Sequence, residues 1–179
     1  MANDSKYFKP RAAGLLPLYE AKYTYHFNHR YCTWNGVATE PAGEADLART
    51  DYTVGTQYYI DPVIVESRFG NKSWCLVYRK ITNSTNERTM VSSIIPGFSC
   101  ADSLNIIETE IISESLLLLS NLNSIPFDFF ARQKVGGTNF NHWILKQLPV
   151  TNFSKVSTSL SELIQKKAFQ LTYTASDLR

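Results

Sequence analysis

The chain has 179 residues, 44% of them hydrophobic and 13% aromatic, and a net charge of +2. That composition excludes disorder over most of the length and suffices for one hydrophobic core. Apolar runs such as Leu116 to Leu119 are far too short for a membrane-spanning helix. The start, MANDSKYFKP, is too polar for a signal peptide. Cys32, Cys75 and Cys100 are widely spaced and form no C-x-x-C pair, which supports neither a disulfide framework nor a thiolate zinc site and points to a reducing cytoplasm.

In chain order, residues 1–16 read as a flexible lead-in. Residues 18–34 alternate aromatic and polar side chains, as extended structure does. Residues 35–51 hold Gly36, Pro41 and Gly43 and read as a loop. Residues 58–69 read as a strand broken or kept at an edge by Pro62. Strands are expected over 74–81 and 88–95, with a polar loop at 82–87 between them. Residues 113–122 and 127–134 then predict helices, ended sharply by Val135-Gly136-Gly137-Thr138. Ser159 and Glu162 fit a capping box before an apolar pattern from Leu160 to Leu171. Leu116 to Leu119, Phe127, Phe129 and Phe130 read as core, and Trp74 and Trp143 as core rather than stacking platforms. The sum is a mixed α+β fold with a strand-rich first half and a helical second half.

The small net charge conceals blocks. Residues 1–30 sum to +3, 31–67 to −5, 68–96 to +4, 97–130 to −5, 131–161 to +4 and 162–179 to +1. Such alternation arises either by chance on a solvated surface or because the basic blocks converge on a polyanion. Recognisable catalytic patterns are absent: there is no phosphate-binding G-x-x-x-x-G-K-[ST] loop, no G-x-S-x-G elbow and no carboxylate pair. His26 and His29 are three apart but lack further metal ligands at a matching spacing, so they read as packed or hydrogen-bonded.

Three segments are more specific. The first is Tyr19-Glu20-Ala21-Lys22 with His26-Phe27-Asn28-His29-Arg30-Tyr31. The second is Trp74-Cys75-Leu76-Val77-Tyr78-Arg79-Lys80-Ile81, then Ser84-Thr85-Asn86-Glu87-Arg88-Thr89 and Ile94-Ile95-Pro96. The third is Leu122-Asn123-Ser124, Phe127-Asp128-Phe129, Arg132-Gln133-Lys134-Val135-Gly136-Gly137-Thr138-Asn139 and Leu145-Lys146-Gln147-Leu148-Pro149-Val150. In this order they resemble the C-terminal target recognition region of large bacterial N6-adenine DNA methyltransferases of restriction-modification and phage-defence systems. The third is also similar to the pattern closing each recognition domain of type I restriction specificity subunits. The resemblance covers roughly residues 17–175.

It implies a single target-recognition-like domain over 17–179 that recognises duplex DNA and is not catalytic by itself. It also implies a piece of a longer protein, since the closing Tyr173-Thr174-Ala175-Ser176-Asp177-Leu178 looks like a family element that normally continues. No methyl-donor site and no Pro-Pro motif are present, so no cofactor is expected in this chain. S-adenosylmethionine would belong to the methylase domain of the parent, with or without a fused nuclease, and that domain is the second expected partner after DNA. No membrane partner is expected.

The DNA-binding residues expected on this basis are Arg30, Arg79, Lys80, Thr85, Asn86, Arg88, Arg132, Lys134, Gly136, Gly137, Thr138 and Asn139. Arg can pair with guanine and Asn with adenine, each worth about 1–3 kcal/mol of discrimination. Alternatively, Arg79 and Arg88 close ion pairs with Glu87 or an acidic-block residue. The glycines either admit a phosphate close to the backbone or permit a positive φ in a tight turn. Specificity is expected to vary in residues 35–51 and 61–72. A rival reading is a protein-interaction module, favoured by exposed apolar patches without a joint basic face. A third is an enzyme using His29, His142 and clustered carboxylates.

Overall fold

The computed structural model describes residues 2–97, 99–109 and 111–178. The first half holds β1 (Leu16–Pro17), β2 (Cys32–Trp34), β3 (Thr39–Pro41), α1 (Glu44–Leu47), β4 (Tyr59–Ile60) and α2 (Pro62–Phe69). Strands β1 and β4 pair antiparallel, and β2 and β3 form a hairpin. Next come β5 (Trp74–Arg79), β6 (Ser92–Pro96) and β7 (Leu104–Ile107), an antiparallel sheet in the order β6-β5-β7. The second half is helical: α3 (Ile112–Leu122), α4 (Ile125–Lys134), α5 (His142–Leu145) and α6 (Thr158–Thr172). The fold is therefore mixed α+β in the expected order.

The central strand explains the two-layered core. Residues Cys75 to Tyr78 are all buried, because the sheet is covered on both faces. Leu76 sits opposite Ile94 and Ile107, and with Tyr78 faces the helical layer built on Leu116, Leu119, Phe127 and Phe140. Cys75 and Val77 sit opposite Ile95 and Ile106 and face the N-terminal layer of Tyr19, Tyr23, Ile60 and Val65.

Several expectations need correction. The described part of the expected lead-in, residues 2–16, is tied down: Lys9 and Tyr59 exchange two backbone hydrogen bonds of 2.8 Å, and Asp4 grips Arg68 through both oxygens. Pro62 does not break a strand. It occupies the first turn of α2, where its missing N–H costs nothing, and Asp61 caps that helix by accepting from Val63 N at 3.1 Å. The 35–51 loop contains β3 and α1, and β7 arises where no strand was expected. Strand β6 starts at Ser92, not 88. Ser157, not Ser159, stands at the N-cap of α6, and its side chain makes no cap bond.

Phe127 is buried, but Phe129 is 58% exposed, and Phe130 and Trp143 are also exposed. Successive helix residues turn by about 100°, so a run of phenylalanines in α4 cannot share one buried face. That face is taken by Phe127, Asp128 and Ala131.

Candidate functional site

The three quoted segments meet in one buried polar network where the chain enters β6. Asp128, presented by the inner face of α4, accepts from Thr89 N at 2.8 Å and Met90 N at 2.7 Å. The same carboxylate lies 3.5 Å from Arg88 Nε and 3.3 Å from Arg132 Nη2. Asn123 clasps Ser92, with its Oδ1 accepting from Ser92 N and its Nδ2 donating to Ser92 O. From the first segment, Phe27 N donates to Ser92 O and His26 Nε2 pairs with Met90 O at 3.0 Å. An unpaired buried polar group is costly, so these side chains fix one another's geometry.

This network aims two loops at one end of the sheet. Residues 82–87 and 134–139 run side by side: Thr82 N donates to Thr138 O at 3.1 Å, and Ile81 bridges Asn139. Arg132 clamps the first loop by donating to Ser84 O at 2.8 Å and Glu87 O at 2.9 Å. Asn83 Oδ1 accepts from Thr85 N and shapes the loop tip. Thr85, Asn86, Lys134, Gly136, Gly137, Thr138 and Asn139 are left on the surface. Neither glycine has a positive φ, and a side chain at either would meet open space. The expected left-handed turn is therefore absent, because Val135, in extended conformation, ends α4 instead.

An aromatic cluster adjoins the loops. Tyr25 and Tyr31 stack with ring centres 4.7 Å apart, and His26 packs edge-on to Tyr25. The Arg79 guanidinium lies 5.3 Å from the Tyr25 ring centre and donates to Thr24 O. Burial, then the charge of Glu87, push the Tyr25 hydroxyl pKa up. Burial lowers the His26 pKa against the pull of the Met90 carbonyl, and Arg88 lowers it further. The turn carrying Tyr25 and His26 includes Phe27 at φ 61°, an uncommon conformation for a bulky residue. The sequence carried one signal for this cluster, the aromatic density of residues 23–31.

The expected cations are mostly committed elsewhere. Arg30 is 1% exposed and donates to the carbonyls of Leu47, Arg49, Tyr52 and Thr174. Far from reaching DNA, it fastens the 47–52 segment and the closing segment to the core. Lys80 pairs with Asp102 at 2.7 Å, and Arg88 donates to Asn123 O at 2.7 Å. Arg68 is held by Asp4 and Lys72 by Glu108. The basic block 68–96 is thus partnered throughout, chiefly by the acidic block that follows it. Arg79, Lys80, Arg88 and Arg132 do not make an open phosphate-binding face. The ammonium groups of Lys134, Lys146 and Lys155 in the second basic block are exposed and have no ion pair among the described residues.

His29 is fully buried on Asp177 at 3.0 Å, not clustered with His142, which is exposed on α5. Among the described residues no three His, Cys, Asp or Glu side chains converge as metal ligands, and no helix is long and apolar enough to cross a membrane. No family model, curated protein or solved structure matches the chain.

Proposed function

We propose that the chain is a non-catalytic recognition domain for duplex DNA, read through the paired loops 82–87 and 134–139 and the Tyr25–Tyr31 stack. The observation that carries this reading is the Arg132–Asp128 clamp. It holds two polar loops side by side while leaving Thr85, Asn86, Thr138 and Asn139 on the surface. Short amides and hydroxyls on rigid loops suit base-edge contacts, whereas Lys134 supplies phosphate contact. The arginines act behind the surface as positioning residues. The resemblance to target recognition regions adds a parent whose methylase domain uses S-adenosylmethionine to methylate an adenine flipped from the duplex.

The test is fluorescence anisotropy of the purified chain with mixed-sequence duplexes over a salt series. Binding should weaken as salt rises, and Lys134→Glu should reduce the magnitude of the log–log salt slope by about one. Asn86→Ala and Asn139→Ala should change sequence preference with unaltered melting. No salt-dependent binding even at low salt sinks the reading.

The protein-interaction reading gains from a specific observation. Ile125, Phe129 and Phe130 on α4 and Trp143 on α5 are exposed apolar side chains, which suit docking to the methylase or another subunit. Under this reading alone, Phe129→Ser with Trp143→Ser removes complex formation with the parent's other domains, and Lys134→Glu changes nothing.

A further inference from the structure

Between the start of α4 and the segment after α5 lies an open cleft of about 230 Å³, lined mainly by Pro126, Phe127, Phe130, Pro149 and Val150. Local sequence builds one wall. Ser124 caps α4 by accepting from Phe127 N at 3.3 Å, and Pro126 fits the first turn because no N–H is needed there. Phe127 is buried, whereas Pro126 and Phe130, four apart, share an outer side of the helix. The other wall, Pro149 and Val150, is tied to the end of α3. Asn121 Oδ1 accepts from Thr151 N at 3.2 Å, and Ser124 Oγ donates to Asn121 O at 2.7 Å. Both walls are therefore fixed on one residue, Asn121.

The rim is apolar and open to solvent: Phe130 is 46% exposed and Val150 50%. A cavity of about 150 Å³ holds benzene. The cleft therefore has room for one aromatic or leucine side chain, the kind of anchor that carries binding energy at protein interfaces. Charge then selects what surrounds that anchor. Between residues 121 and 155 the one carboxylate is Asp128, which is buried and committed to Arg88, Arg132 and two backbone N–H groups. Lys146 and Lys155 are exposed and have no ion pair among the described residues. Lys146 stands three residues before Pro149 and Lys155 four after Thr151, so their backbones lie within about 11 and 14 Å of the cleft wall even at full extension. A cationic margin in a stretch without exposed carboxylates favours an acidic partner and disfavours a basic one.

We infer that this cleft docks an acidic segment of a partner protein, which seats one leucine or phenylalanine side chain between Phe130 and Val150 while its carboxylates face Lys146 and Lys155. The inference rests on the protein-interaction reading and uses no residue of the DNA reading, so the peptide experiment below and the DNA salt series can fail separately.

Fluorescence anisotropy of the purified chain with a labelled peptide of one phenylalanine among glutamates tests it. The peptide should bind with Kd of about 0.01–1 mM, more weakly as salt rises. Exchanging its phenylalanine for serine should weaken binding at least about tenfold, and so should exchanging its glutamates for lysines. Val150→Glu sets a carboxylate at the half-exposed rim and should weaken binding about tenfold with unchanged melting. Lys146→Glu with Lys155→Glu should weaken it about as much and flatten the salt dependence. No binding at millimolar peptide, equal binding of the serine or the lysine peptide, or full binding by a folded Val150→Glu overturns the proposal. So does a dimer of the chain that Val150→Glu abolishes, because a second copy then fills the cleft.

Discussion

Arg30 places a full charge at 1% exposure with four carbonyls around it and no carboxylate partner among the described residues. Replacing it strands those acceptors, so Arg30→Met should cost about 3 kcal/mol, measured as a lowered urea midpoint. His26 gives a pH signature. Its folded pKa is held below the usual 6.5 by burial and by Arg88 and Arg79, against Met90 O and Asp128. Above 6.5 neither state takes the proton. As pH falls through 6.5 the unfolded chain takes it first, so stability drops until the folded pKa is passed. Melting temperature should therefore fall between pH 7 and 5, and fall less in His26→Asn. An equal fall in both proteins removes His26 as a cause. Cys75 and Cys100 are buried thiols, with burial pushing the pKa of Cys100 up to about 12. Both should resist Ellman's reagent until the chain unfolds.

At the scale of elements, caps separate what is formed from what is only patterned. Asp61 accepts from Val63 N at the start of α2, so Asp61→Ala should cost about 1 kcal/mol. Ser159 matches a capping box but lies inside the first turn of α6, so Ser159→Ala should be neutral within about 0.5 kcal/mol. Chemical denaturation of both variants decides the point. Asp128 joins α4 to the entry of β6, and Asp128→Ala should cost about 3 kcal/mol because it orphans Thr89 N and Met90 N and removes the carboxylate between two guanidinium groups. Hydrogen exchange should then quicken first at Thr89 and Met90.

Over the whole molecule, the alternation of charge is largely internal neutralisation. Lys72, Lys80, Arg88 and Arg132 pair with Glu108, Asp102 and Asp128, all from the acidic block 97–130. Exposed positive charge without an ion pair among the described residues remains, for example, at Arg11 in the N-terminal segment and at Lys134, Lys146 and Lys155 in the helical half, which also presents Phe129, Phe130 and Trp143. Because both side chains lie on the surface, replacing Phe129 and Trp143 by serine should each change stability by no more than about 0.5 kcal/mol, measured as the urea midpoint.

The sequence by itself determined the α+β class, the strand at 74–81, the helices near 113–122 and 127–134, and the polar loop between β5 and β6. Those features are local: a β-branched or aromatic run, helix formers and turn residues act within a few positions. Only the tertiary structure decided what the buried polar side chains do. Arg30 and Thr174 are 144 positions apart, and His29 and Asp177 are 148 apart. A cation's partner at such separation leaves no periodic trace in the sequence, so an arginine buried on carbonyls and one exposed to a phosphate read alike until the chain is folded.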